Sequence, residues 1–102
     1  MIRSKKLRDS ARGEECTLNI AGFCRYDTET TVLAHLPHES HGMGLKCHDI
    51  CGCFACDTCH AIIDGRHTAK LSQVDFEFYA RRAMVRTYSR WFDMGLLSIK
   101  GG

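Results

Sequence analysis

The sequence holds no run of about 18 apolar residues, which excludes a membrane-spanning helix. No apolar stretch with a small-residue cleavage site follows the basic N-terminus either, so the chain is expected to be cytoplasmic, where thiols stay reduced. That expectation bears on cysteine, of which there are seven among 102 residues. In a secreted chain this density would read as a disulfide scaffold; in a cytoplasmic one it points to metal binding, and the odd count leaves at least one thiol spare. Internal repeats and low-complexity tracts are absent, and proline occurs once, at Pro37. Net charge is only +2, from 14 Lys and Arg against 12 Asp and Glu. At this length the chain is one domain near the lower limit for an apolar core alone, so a metal staple would supplement it.

The small net charge conceals two local excesses. Arg3, Lys5, Lys6, Arg8 and Arg12 face only Asp9 in residues 1–12, and Arg81, Arg82, Arg86 and Arg90 have no acid among residues 81–90. Such clusters suit a phosphate backbone, which makes Lys5, Lys6, Arg8, Arg82, Arg86 and Arg90 candidate nucleic-acid contacts; a solvated face is the plainer alternative.

Three regions are expected: a basic N-terminal arm over 1–13, a metal-bound core over 14–70, and a C-terminal helix and tail over 71–102. Residues 30–36, Thr-Thr-Val-Leu-Ala-His-Leu, form the best strand, ended by Pro37. A glycine loop with His38 and His41 follows, and residues 47–55 read as a second strand or a short irregular helix. Ser72 is a candidate N-cap for a helix from Val74 to Phe92, with Phe76, Ala80, Met84, Tyr88 and Trp91 as its apolar stripe. Gly95 closes that helix, and Leu96 to Ile99 form a short tail.

The densest chemistry lies in Cys56-Asp57-Thr58-Cys59-His60. A two-residue gap lets one turn aim both sulfurs at a tetrahedral metal, and the pair Cys16 and Cys24, eight residues apart, supplies two more thiols. Cys16, Cys24, Cys56 and Cys59 are therefore the expected ligands of a structural zinc that closes the loop holding His35. Cys47, Cys51 and Cys53 are expected to remain unliganded. Where the chain turns helical after Cys59, His60 and Asp64 stand at i and i+4 on one face, and Gly65 stops the helix.

A cysteine pair, a strand ending in histidine, a glycine loop and a CxxCH run opening a helix resemble the zinc-stapled HNH endonucleases of the ββα-metal fold. Leu7-Arg8-Asp9-Ser10-Ala11-Arg12-Gly13, Leu33-Ala34-His35-Leu36-Pro37, Gly42-Met43-Gly44, Cys59-His60 and Asp64-Gly65-Arg66 are more closely similar to the small lambdoid-prophage nuclease family that includes YbcO. The resemblance spans residues 7–66 and implies a small α+β, HNH/treble-clef-like domain with a long C-terminal helix. It implies DNA as the substrate and His35 as the general base that deprotonates water. It makes His60 a ligand of a catalytic divalent ion, Mg²⁺ or another, with Asp64 and Asp49 as further ligands. Cleavage of both strands would be served by a homodimer.

The sequence departs from the HNH pattern in two places. Ala34 stands where a metal-binding residue commonly precedes the base histidine, and the middle asparagine is missing near Cys51, with His48 and Asp49 the nearest polar residues. Either Asp49 and Asp64 take over these duties, or the domain is a non-catalytic zinc-stabilised nucleic-acid-binding module. CxxCH is also the attachment signature of c-type haem, but that would require export and leave Cys16 and Cys24 unexplained. The spacing of Cys51, Cys53, Cys56 and Cys59 matches no iron–sulfur pattern.

Overall fold

Two short strands carry the architecture. In the computed structural model, which describes residues 3–36 and 48–101, β1 (Val32–His35) pairs antiparallel with β2 (Gly52–Ala55). Pro37, His38, His41 and Cys47 lie outside the described residues. The register sets Leu33 opposite Phe54, Ala34 opposite Cys53 and His35 opposite Gly52. Because side chains alternate along a strand, Leu33 and Phe54 enter a cluster with Leu7, Ala11 and Trp91, while Ala34, Cys53 and Ala55 enter another with Leu18, Ile20, Ile62, Ala80 and Ala83. The sheet is thus covered on both faces.

Residues 47–55, read as strand or irregular helix, contain both. A 3-10 turn, Asp49–Cys51, leads directly into β2. Gly52 has to be small there: a Cβ on it would stand 2.8 Å from Leu33 Cδ1 and 3.0 Å from the Ala34 carbonyl oxygen. The other edge of β2 is closed by hydroxyls. Phe54 N donates to Thr87 Oγ1 at 3.1 Å, and Thr17 donates to the Phe54 carbonyl through its N–H at 2.7 Å and its Oγ1 at 2.8 Å. A fully buried threonine inside a helix is thereby explained as the partner of an otherwise orphaned strand amide.

The expected N-terminal arm is instead folded onto this sheet from Ser4 onward. Ser4 caps α1 (Lys5–Asp9) by accepting from Leu7 N, and Leu7 and Ala11, four apart, bury one face against Leu33, Phe54 and Trp91. Trp91 Nε1 donates to Ser10 Oγ at 2.8 Å, so the single tryptophan meets its polar need while fully buried.

α2 (Asp57–Ile63) starts at Cys56 and ends where expected, with Gly65 at φ +78°. α3 (Gln73–Asp93) is capped by Ser72, whose hydroxyl accepts from Asp75 N, and the chain leaves it through Gly95 at φ +76°. Its stripe divides between the two clusters: Phe76, Ala80 and Met84 pack on the cysteine side, Tyr88 and Trp91 on the α1 side. Leu96 and Leu97 of the tail pack on the latter.

Candidate metal centre and active site

The sulfurs of Cys16, Cys24, Cys56 and Cys59 all lie within 4.8 Å of one another, Cys24 and Cys56 at 3.9 Å. Four sulfurs about 2.3 Å from a zinc at tetrahedral angles would be roughly 3.8 Å apart, so the donor set fits a closed structural zinc site. Among the described residues this is the one such grouping. Cys56 and Cys59 come from the start of α2, and Cys16 and Cys24 flank a turn in which Asn19 and Gly22 have φ of 47° and 83°. The segment between them is a tight turn without strands, closed by bonds from Phe23 N and Cys24 N to the Ile20 carbonyl.

Backbone N–H groups converge on the sulfurs. Asn19, Cys56 and Leu18 donate to Cys16, Tyr26 to Cys24 and Ile20 to Cys59. The positive φ of Tyr26, 55°, belongs to the turn that presents its N–H to Cys24. Such donors favour thiolates. Accepting from the Cys59 thiol, with backbone donors adding to it against burial, draws Cys16 down to about 5, and the same bond pushes Cys59 up. Cys51 and Cys53 stand outside the set; burial pushes Cys53 up to about 12, as befits an inert core thiol.

His35 is the last residue of β1, opposite Gly52, and the 3-10 turn brings Asp49 to it. His35 Nε2 and Asp49 Oδ1 are 2.8 Å apart, and the Asp49 side chain is 1% exposed against 31% for His35. Asp49 Oδ2 accepts from Ser4 N and lies 3.5 Å from Arg8 Nε. Burial opposes ionisation of Asp49, but Ser4 N–H, His35 and Arg8 outweigh it and hold the carboxyl below its ordinary range. An ionised Asp49 only accepts, so the hydrogen between them is carried by His35 Nε2. Asp49 was expected as a ligand of the catalytic ion. Both its oxygens are engaged, one by His35 and the other by Ser4 N and Arg8, and almost none of it is exposed.

His60 and Asp64 do meet across one turn of α2, with Nε2 3.0 Å from Oδ2. The same Oδ2 accepts from Arg66 Nη2 at 3.2 Å. Burial first, then the charge of Arg66, lower the His60 pKa against the opposing pull of Asp64, so the ring stays neutral near pH 7. A separation of about 3.0 Å also suits adjacent positions around a divalent ion with bonds near 2.1 Å, so a neutral imidazole and a carboxylate here fit such an ion.

The candidate nucleic-acid contacts divide. Lys5 pairs with Asp9 at 2.6 Å at the surface, Lys6 is exposed on α1, and Arg8 leans on Asp49. The arginines of α3 are not an open basic stripe. Arg82 donates to the Leu18 carbonyl at 2.9 Å, Arg86 to Asn19 Oδ1 at 2.9 Å, and Arg90 pairs with Glu14 at 2.8 Å and Asp93 at 3.4 Å. All three bind within the chain because α3 crosses the segment 14–19, a crossing that helical periodicity does not reveal. Ser4, Asn19 and Arg66 were given no site role in the sequence; their signals were an N-cap position, an asparagine inside the cysteine turn, and a cation two residues past Asp64.

Residues 5–96 match the family model described as "Putative nuclease YbcO". A protein of Escherichia coli (strain K12) with that name is 37% identical over 92 residues, covering 89% of this chain and 95% of its own length. A protein of Enterobacteria phage 82, also named a putative nuclease ybcO, matches to the same extent. A solved structure, that of a putative bacteriophage protein from E. coli K-12 MG1655, superposes with a TM-score of 0.70 at 32% identity, covering 88% of this chain and all of that one.

Proposed function

The chain belongs to the YbcO family of putative nucleases, and from that premise we propose that it is a metal-dependent, HNH-type endonuclease hydrolysing phosphodiester bonds in DNA. Zinc at Cys16, Cys24, Cys56 and Cys59 is its structural staple in this reading. The observation that carries the catalytic part is the 2.8 Å bond between His35 Nε2 and the buried, ionised Asp49. The order β1, β2, α2 supports the ββα assignment, with the base histidine on the first strand and His60 on the helix.

His35 takes the proton of the attacking water on Nδ1, and the resulting imidazolium is stabilised by Asp49, whose hydrogen bond holds the ring in position. Asp49 remains ionised, because Ser4 N–H and Arg8 favour its charge. His60 stays neutral and Asp64 is oriented by Arg66, so the pair is ready to hold a divalent ion. When bound, such an ion supplies charge stabilisation at the scissile phosphate and the leaving 3′ oxygen. Exposed Lys6 and the partly exposed Arg8 on α1 supply positive charge for the DNA backbone.

The test is nicking of supercoiled plasmid with Mg²⁺ or Mn²⁺ by the wild type beside His35→Ala, with zinc content measured in both. Cleavage by wild type alone, at one zinc per chain in each, is the expected result. Zinc-loaded wild type that binds DNA yet cuts neither plasmid nor branched substrates would favour the non-catalytic zinc-stabilised module, consistent with Ala34 and the missing asparagine.

A further inference from the structure

Arg82 and Arg86 have no carboxylate partner among the described residues; both instead point at the turn that carries Cys16 and Cys24. The Leu18 carbonyl that accepts from Arg82 Nη2 at 2.9 Å lies in that turn, two residues after Cys16. The side-chain amide of Asn19 links the other guanidinium to a sulfur. Its Oδ1 accepts from Arg86 Nη1 at 2.9 Å while its Nδ2 donates to Cys24 Sγ at 3.5 Å. Here a guanidinium polarises an amide whose other end donates to a sulfur, which strengthens that bond.

We infer that Arg82 and Arg86 are positioning residues of the zinc site, Arg82 fixing the cysteine turn through the Leu18 carbonyl and Arg86 orienting the Asn19 amide toward Cys24. The inference rests on the reading of the four cysteines as a zinc centre. Four thiolates around Zn²⁺ leave a formal charge of about −2, and the two guanidinium groups place opposite charge on the turn that carries Cys16 and Cys24. Arg82 gives independent support. Its guanidinium is part-buried, 5.1 Å from the Phe78 ring centre and 5.4 Å from that of Tyr79, and its Nε lacks a partner among the described residues. Two carbonyls and two aromatic rings thus hold its side chain against the cysteine turn.

The experiment is competition for zinc between the full chain and a chromophoric chelator, for wild type, Arg86→Gln, Arg86→Lys, Arg82→Gln and Asn19→Ala. Arg81→Gln, on the same helix but outside both sets of contacts, is the control, and folding of each zinc-loaded protein is checked by circular dichroism. Expected are zinc affinities about 10- to 100-fold weaker for Arg86→Gln, Arg82→Gln and Asn19→Ala, with Arg86→Lys closer to wild type because it keeps the charge and a donor. Arg86 is exposed, so Arg86→Gln remains informative even if Arg82→Gln does not fold. Zinc binding by Arg86→Gln and Asn19→Ala as tight as by wild type would overturn the inference and leave the zinc centre standing. A wild type that takes up no zinc would overturn both.

Discussion

Replacing Asp49 by asparagine keeps the shape of the side chain and removes its charge. Asp49 accepts from His35 Nε2 at 2.8 Å on one oxygen and from Ser4 N on the other, at 1% exposure. An amide must turn its NH₂ toward one of these two donors. Facing Ser4 it opposes a backbone N–H that cannot change; facing His35 it forces the ring to move its hydrogen from Nε2 to Nδ1, which closes the nitrogen proposed to take the proton from water. Positioned general bases contribute about 10²- to 10⁴-fold, so Asp49→Asn is expected to slow cleavage by about 10²-fold or more, near 2.7 kcal/mol of barrier. Hydrogen bonds to a charged group contribute roughly 1.5–3 kcal/mol against about 0.5–1.5 for neutral ones, so exchanging two of them lowers stability by about 2–3 kcal/mol. The assay is single-turnover plasmid nicking at saturating enzyme, below the unfolding temperature of the variant, with zinc content and DNA affinity measured alongside. A folded, zinc-loaded Asp49→Asn protein cutting within threefold of wild type would refute this account of the His35–Asp49 pair.

Cys59→Ser is expected to lose stoichiometric zinc and cooperative unfolding together, and prolonged chelation of the wild type to do the same; a sharp, unchanged urea transition in metal-free protein would count against a structural role for the metal. Trp91→Ala empties the α1 side of the core and breaks the bond to Ser10, for an expected loss of about 3–5 kcal/mol in urea unfolding; a loss below about 1 kcal/mol would contradict the packing. Gly52→Ala drives a methyl group toward Leu33 and the Ala34 carbonyl beside His35, so a loss of about 1–3 kcal/mol with slower cleavage is expected, and wild-type values in both would show that the strands part freely. Lys6→Gln leaves the rate at saturating DNA unchanged but weakens binding and lowers the salt slope by about one phosphate contact; an unaltered slope would remove α1 from the interface.

Local signals predicted what local physics governs. Ser72 and Gly95 bound α3, Gly65 follows α2, and the β-branched run ending in His35 is β1, because caps, left-handed glycines and strand propensity act within a few residues. The spacing of Cys56 and Cys59 likewise identified two sulfurs aimed at one point, and helical periodicity put His60 and Asp64 together. The basic N-terminus misled because its charges are conspicuous and the pair that folds it, Leu7 and Ala11, is short; what makes them core is Trp91, some eighty residues away.

By itself, then, the sequence determined the first strand, the helices after Cys56 and Ser72, the likeness to a nuclease family and the four cysteines that converge, all consequences of periodicity, turn chemistry and ligand spacing; it did not determine α1 or β2. Only the tertiary structure decided what each charged side chain does. Asp49 became the partner of His35 because the 3-10 turn before β2 buries it between β1 and the N-terminus of α1. Arg82 and Arg86 bind within the chain because α3 lies across the cysteine turn and offers them the Leu18 carbonyl and the Asn19 side-chain oxygen. A charge takes its role from the groups within a few ångströms of it, and those neighbours come from parts of the chain that no local pattern relates.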